Sequence, residues 1–161
     1  MKYLKAKNNR GFVLLFTMVL SAVLLSMAIG ASSVALKELK FSTSGRDTND
    51  AFFAADTGAD CALYYDRTQT RFIYPDPGGN INCAGSAISV PPASGNATTW
   101  SYSFSVTGLG SAGKSCANIV INKDASSGTL KTTITTDGYS PANSPCASNS
   151  TTVNRHLVVT Y

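Results

Sequence analysis

The chain has 161 residues, enough for one domain with a core of its own and too few for two, since single domains cluster at about 100 to 150 residues. Its formal charge of +4 would suggest nucleic acid as a partner, but the excess lies in the first ten residues. Lys2, Lys5, Lys7 and Arg10 stand there without an acid, and the other nine basic residues match the nine acidic ones, so the body of the chain has no electrostatic claim on nucleic acid.

The basic segment leads into an uncharged apolar run from Phe12 to Leu36. About 25 helical residues at about 1.5 Å each reach about 37 Å, more than the roughly 30 Å of a bilayer's hydrocarbon core. Positive residues ahead of such a run hold that end in the cytoplasm while the rest is exported. Lys37, Glu38 and Lys40 mark the outer membrane–water boundary. A cleaved secretory signal is the alternative; it has a shorter apolar region of about 7 to 15 residues and a small-x-small site, for which Ala28 to Ala31 offers small side chains.

Residues 12–66 carry no proline and read as one long helix. Gly30 and the cluster Ser42, Thr43, Ser44, Gly45 are its expected weak points. Beyond them Ala51, Ala54, Ala55, Gly58, Cys61, Ala62 and Tyr65 recur at helical spacing, a narrow stripe of small residues against which another layer can pack closely. Asp47, Asp50 and Asp60 predict a wet opposite face.

Residues 67–97 are expected to be a connecting loop, because Pro75, Pro77, Gly78, Gly79, Pro91, Pro92 and Gly95 all continue helix or central strand poorly. Its length implies that it is pinned, through Cys83, or functional. Thr98 to Val106, Cys116 to Lys123, Thr129 to Asp137 and Arg155 to Tyr161 then have strand composition. Asp124 to Gly128 predicts a hairpin link and Gly138 to Asn154 a second long loop. A long helix followed by consecutive strands predicts an α+β fold, with the small-residue stripe covered by an antiparallel sheet of about four strands. The expected divisions are a leader at 1–11, a membrane-spanning half-helix at 12–45 and a globular head at 46–161.

Cys61, Cys83, Cys116 and Cys146 contain no C-x-x-C pair, and an exported compartment permits disulfides. Three pairings are possible, and reduced, buried cysteines are the alternative. Cys61 with Cys83 and Cys116 with Cys146 is favoured because both loops are then of similar, moderate length.

Arg10, Gly11 and Phe12, directly ahead of the apolar run, resemble the class III signal of type IV pilins and pseudopilins. The resemblance implies that a prepilin peptidase cuts after Gly11 and methylates the new N-terminal Phe12. It further implies that the helix serves first as an anchor in the cytoplasmic membrane, with the head outside, and then as the element that packs against other pilin subunits in an extracellular pilus. Arg46, Asp47, Ala51, Phe52, Phe53, Ala54, Ala55 and Asp56 are similar to the N-terminal region of PilX-like minor pilins. Together these patches cover roughly the first 66 residues; the remainder agrees with the pilin fold in its order of elements. Major pilins carry glutamate five residues after the cleavage glycine, where this chain has Phe16. That departure implies a minor, tip-proximal or initiating subunit, with adhesion, motility or DNA uptake as family roles. A type II secretion pseudopilin shares the same N-terminal features, and a signal-anchored exported binding domain is the rival from another class.

No G-x-S-x-G, H-E-x-x-H or glycine-rich strand-to-helix loop is present, and neither an enzymatic activity nor a cofactor or metal is implied. His156 is the only histidine and is expected at an ordinary strand position. Asp56 and Asp60, one helical turn apart, read as a solvated face rather than an acid–base pair. The glycosylation-type tripeptides at Asn96 and Asn149 read as chance matches. Tyr64, Tyr65, Tyr74 and Trp100 could supply adhesive contacts, but packing is the better expectation.

Overall fold

The computed structural model describes residues 10–75, 79–142 and 145–161. Lys2, Lys5 and Lys7 of the expected leader, and Pro77 and Gly78 of the expected loop, lie outside the described residues. Helix α1 spans Arg10–Arg67, and the chain divides after Thr43 into two compact units. The cluster expected to loosen the helix is helical throughout. Thr43 donates its hydroxyl back to the carbonyls of Leu39 and Lys40, both at 3.0 Å, and Gly45 costs only about 1 kcal/mol of helix propensity.

The unit beginning at Ser44 is α+β and pilin-like, with the second half of α1 packed on antiparallel sheets. Strands β1 (Gly79–Cys83) and β2 (Ser86–Val90) form a hairpin. Strands β3 (Ser94–Gly95), β4 (Thr99–Leu109), β5 (Ser115–Asp124), β6 (Lys131–Ser140) and β7 (Val153–Thr160) form a five-stranded meander in chain order. The expected sheet of about four strands is therefore larger, and the expected loop at 67–97 holds a hairpin and a short edge strand. Ala84 and Gly85, at φ of 50° and 78°, supply the two positive-φ residues of a tight hairpin turn, a signal weaker than the prolines around it.

Strand β6 also runs through Gly138, which the sequence marks as the start of a loop. A Cβ on Gly138 would lie 2.0 Å from the Ala51 carbonyl oxygen and 2.7 Å from the Ala55 nitrogen. The glycine is thus the place where helix backbone and strand backbone meet, not a breaker. From the helix side, a Cβ on Gly58 would stand 2.9 Å from Thr136 Cγ2 and 3.0 Å from Ile119 Cγ1. Ala51, Ala54, Ala55, Ala59 and Ala62 complete this buried contact.

Alternation along β4 turns Trp100, Tyr102, Phe104 and Val106 inward, beside Ala117, Ile119 and Ile121 of β5 and Ile134 of β6. Phe72, beyond the helix end, packs its ring 5.1 Å from that of Tyr102 and 6.2 Å from that of Phe104. Trp100 is a core residue: its indole nitrogen donates to the Phe72 carbonyl at 3.2 Å. Asp50, expected in water, has a side chain only 15% exposed and accepts from the Ser111 hydroxyl at 3.0 Å.

Disulfides join Cys61 to Cys83 and Cys116 to Cys146, closing separations of 22 and 30 residues. Loops of that size correspond to about 3 to 4 kcal/mol each of denatured-state entropy. The first fastens the β1–β2 hairpin to the helix. The second fastens the segment after β6 to the outward side of β5, where Asn118 also donates to the Cys146 carbonyl at 3.1 Å.

At one end of the sheet Lys123, Thr132 and Tyr161 lie side by side. Asp66, near the end of α1, pairs with Lys123 at 2.5 Å and accepts the Tyr161 hydroxyl at 2.6 Å. The Arg67 guanidinium sits 4.1 Å from the centre of the Tyr161 ring. Burial, reinforced by the Asp66 carboxylate, pushes the Tyr161 phenol from 10.0 up to about 12.

Two outcomes follow from this packing. Gly138→Ala should lose about 3 kcal/mol or more, the upper end of overpacking costs, because its Cβ meets backbone. Gly58→Ala should lose less, about 1 to 2 kcal/mol, since its Cβ crowds side-chain atoms of Thr136, Ile119 and Ala117 at 2.9 to 3.1 Å rather than backbone, and gains helix propensity. Urea unfolding followed by Trp100 fluorescence tests the contrast, and equal midpoints for the two variants would contradict it. Separately, a phenol that titrates at 10.0 unfolded and about 12 folded contributes stability that is fully present below pH 10 and lost as pH rises to about 12. Unfolding midpoints measured across that window should fall less steeply for Tyr161→Phe than for wild type.

Candidate assembly surface and processing junction

The first unit consists of α1 up to Thr43, and its side chains from Gly11 onward are exposed. Phe12 is 73% exposed, Phe16 56% and Leu24 61%, on a stretch that carries no charge before Lys37. An isolated surface of this size is costly in water and cheap in hydrocarbon. The helix is long and apolar enough to cross a membrane.

Its polar groups are compatible with that solvent. The backbone is satisfied within the helix, and the hydroxyls of Thr17, Ser21, Ser26 and Ser33 donate to the carbonyls of Leu14, Met18, Val23 and Gly30 at 2.8 to 3.0 Å. Gly11 lies in the first turn, and a Cβ placed on it would meet nothing among the described residues outside the local helix within 4 Å. Phe16 occupies the next turn with an apolar, exposed ring.

In the second unit the buried alanines leave Phe52 and Phe53 on the opposite side of α1, 50% and 61% exposed, with their rings edge to face at 5.8 Å. Tyr64 is also exposed. Tyr65 is half-buried and its hydroxyl accepts from the Asn82 backbone nitrogen at 2.9 Å, so it belongs to the packing beneath the hairpin. Of the four aromatic residues singled out in the sequence, Tyr64 and Tyr74 reach the surface and Trp100 does not.

His156 is exposed, with Nδ1 2.7 Å from an Asp137 carboxylate oxygen across the β6–β7 pair. Asp56 is half-buried and Asp60 exposed on α1. Asn96 and Asn149 each use their side-chain oxygen within a local turn, accepting from the backbone nitrogens of Thr98 and Thr151 at 3.0 and 2.8 Å. Among the described residues no three His, Cys, Asp or Glu side chains form a metal-ligand cluster. An open groove of about 600 Å³ at the end of the sheet is lined by polar groups including Ser101, Asn122, Asp124 and Lys131, without a histidine or cysteine to pair with its hydroxyls.

The sequence marks Gly11, Phe12 and all four cysteines. It gives no sign of the Asp66–Lys123–Tyr161 cluster, which joins three elements and has no local motif. No family model matches the chain, and neither a curated protein nor a solved structure is found to be similar to it.

Proposed function

We propose that this chain is a minor subunit of a type IV pilus-like filament, made as a precursor that is cut after Gly11 and acting by assembly. The observation that carries the reading is the exposed, uncharged helical surface beginning directly after Arg10-Gly11-Phe12. A peptidase that cuts on the cytoplasmic side of the membrane leaves this rod attached to the head. The rod then holds the subunit in the cytoplasmic membrane until other pilin subunits replace lipid around it.

Lipid tails are as apolar as the side chains they cover, so the transfer gains little from hydrophobicity itself. Packing between helices and an external energy source drive it instead. Phe52 and Phe53, exposed on the head's part of the helix, supply aromatic area for subunit contacts. The two disulfides suit a head held outside the cell, where no reducing pool protects thiols.

Phe16 supports a minor position in the filament. Without a carboxylate there the subunit cannot pair with the ammonium of a neighbour's first residue, yet its own ammonium can still be received by a neighbour that has the acid. One such subunit at a tip or initiation complex satisfies every pair below it, whereas a filament built wholly of this chain leaves each ammonium unpaired.

Mass spectrometry of the mature chain should find an N-methylated Phe12 as its first residue, and Gly11→Trp should block processing. An intact Met1, or a first residue near Ala31, would overturn the proposal. Cryo-electron microscopy of native filaments should find this chain at a few positions only; occupancy of every helical position would refute the minor role.

A further inference from the structure

We propose that Lys123 and Asp66 condense into an intramolecular isopeptide bond, an amide that ties the end of helix α1 to the central strand β5. The reacting groups are already placed. Lys123 Nζ lies 2.5 Å from Asp66 Oδ1, with 6% and 5% of the two side chains exposed. The carboxyl carbon is one bond beyond that oxygen, close to the near-attack range of about 3 to 3.5 Å. A nucleophile held there by the fold reacts at an effective molarity of about 10⁵ M or more.

The surroundings favour the product. Lys123 sits on the inner face of β5, between Trp100 on β4 and Thr132 on β6, and Trp100 is itself part of the core. Two opposite charges in such a place carry a desolvation penalty that a neutral amide does not. Tyr161 supplies a second fixed contact, its hydroxyl donating to Asp66 Oδ2 at 2.6 Å. With its phenol pushed up to about 12, that group stays a proton donor at neutral pH.

The step balances without a co-reactant. The ammonium passes one proton to Oδ1, giving a neutral amine and a carboxylic acid. The amine lone pair attacks the carboxyl carbon, and charge develops on Oδ2, where the Tyr161 hydroxyl receives it as an oxyanion donor. A second proton moves from nitrogen to Oδ1, the carbon–Oδ1 bond breaks, and one water leaves. Oδ2 becomes the amide oxygen, and nitrogen keeps its last hydrogen.

The full chain, folded and with both disulfides closed, should weigh one water less than its sequence requires after the disulfides are allowed for. After reduction and trypsin digestion, the peptide Asp47–Arg67 should be joined to Ser115–Lys131 through an uncut Lys123. Lys123→Arg should restore the full mass. Tyr161→Phe should slow the appearance of the linked form by about 100-fold, the typical loss on removing one oxyanion donor. The proposal is overturned if wild-type protein, shown by its disulfides to be folded, keeps its full mass after days at neutral pH. Equal linkage in chain held denatured throughout would also overturn it, because proximity in the fold would then not be the cause.

Discussion

The close approach of helix α1 to strands β5 and β6 governs the folded head. At Gly138 there is no room for even one methyl group between strand and helix backbone, and Gly58 provides the matching relief from the other side. Small residues along Ala51, Ala54, Ala55, Ala59 and Ala62 extend that seam. Once the seam is fixed, the period-2 alternation of β4, β5 and β6 decides which side chains face the helix, and the aromatic core of Phe72, Trp100, Tyr102 and Phe104 fills the space beside it. A shift of register by one residue would replace Gly138 with a residue bearing a Cβ and break the contact.

The two parts of helix α1 differ in composition. Up to Leu36 it presents uncharged, mostly apolar side chains all round, with hydroxyls returned to the helix's own carbonyls. From Ser44 it carries a buried small-residue side and an opposite side bearing aromatics and acids. A helix apolar all round calls for burial away from water, and this one is a candidate membrane span. That requirement, rather than any cavity in the head, is the basis for a functional reading in terms of assembly.

The head is held by long-range ties at places where regular structure gives out. One disulfide secures the hairpin that follows the helix, and the other secures the segment that follows β6. Asp66, Lys123 and Tyr161 close the remaining end of the sheet. A buried ion pair is by itself a weak source of stability, because desolvation offsets most of the attraction. Its value here lies in geometry: a carboxylate and an amine are held in contact, with a phenol oriented on the second oxygen.

Much of this was legible in the amino-acid order alone. The long helix, its uncharged span and strands β4 to β7 all follow from length, charge placement and periodicity, which are properties of neighbouring residues. For the cysteines, loop length favoured the pairing that forms but could not exclude the other two. Tertiary structure decided the rest. The β1–β2 hairpin hides behind prolines and glycines that locally argue for loop, and Gly138 signals a turn until a helix backbone is placed against it. Trp100 packs in the core as expected, but its partner, the carbonyl of Phe72 far away in the chain, is set by the tertiary structure. Asp66 meets Tyr161 across 95 positions of sequence. No local pattern records such a meeting, because contact between distant side chains is created by how layers pack and not by the residues that adjoin them in the chain.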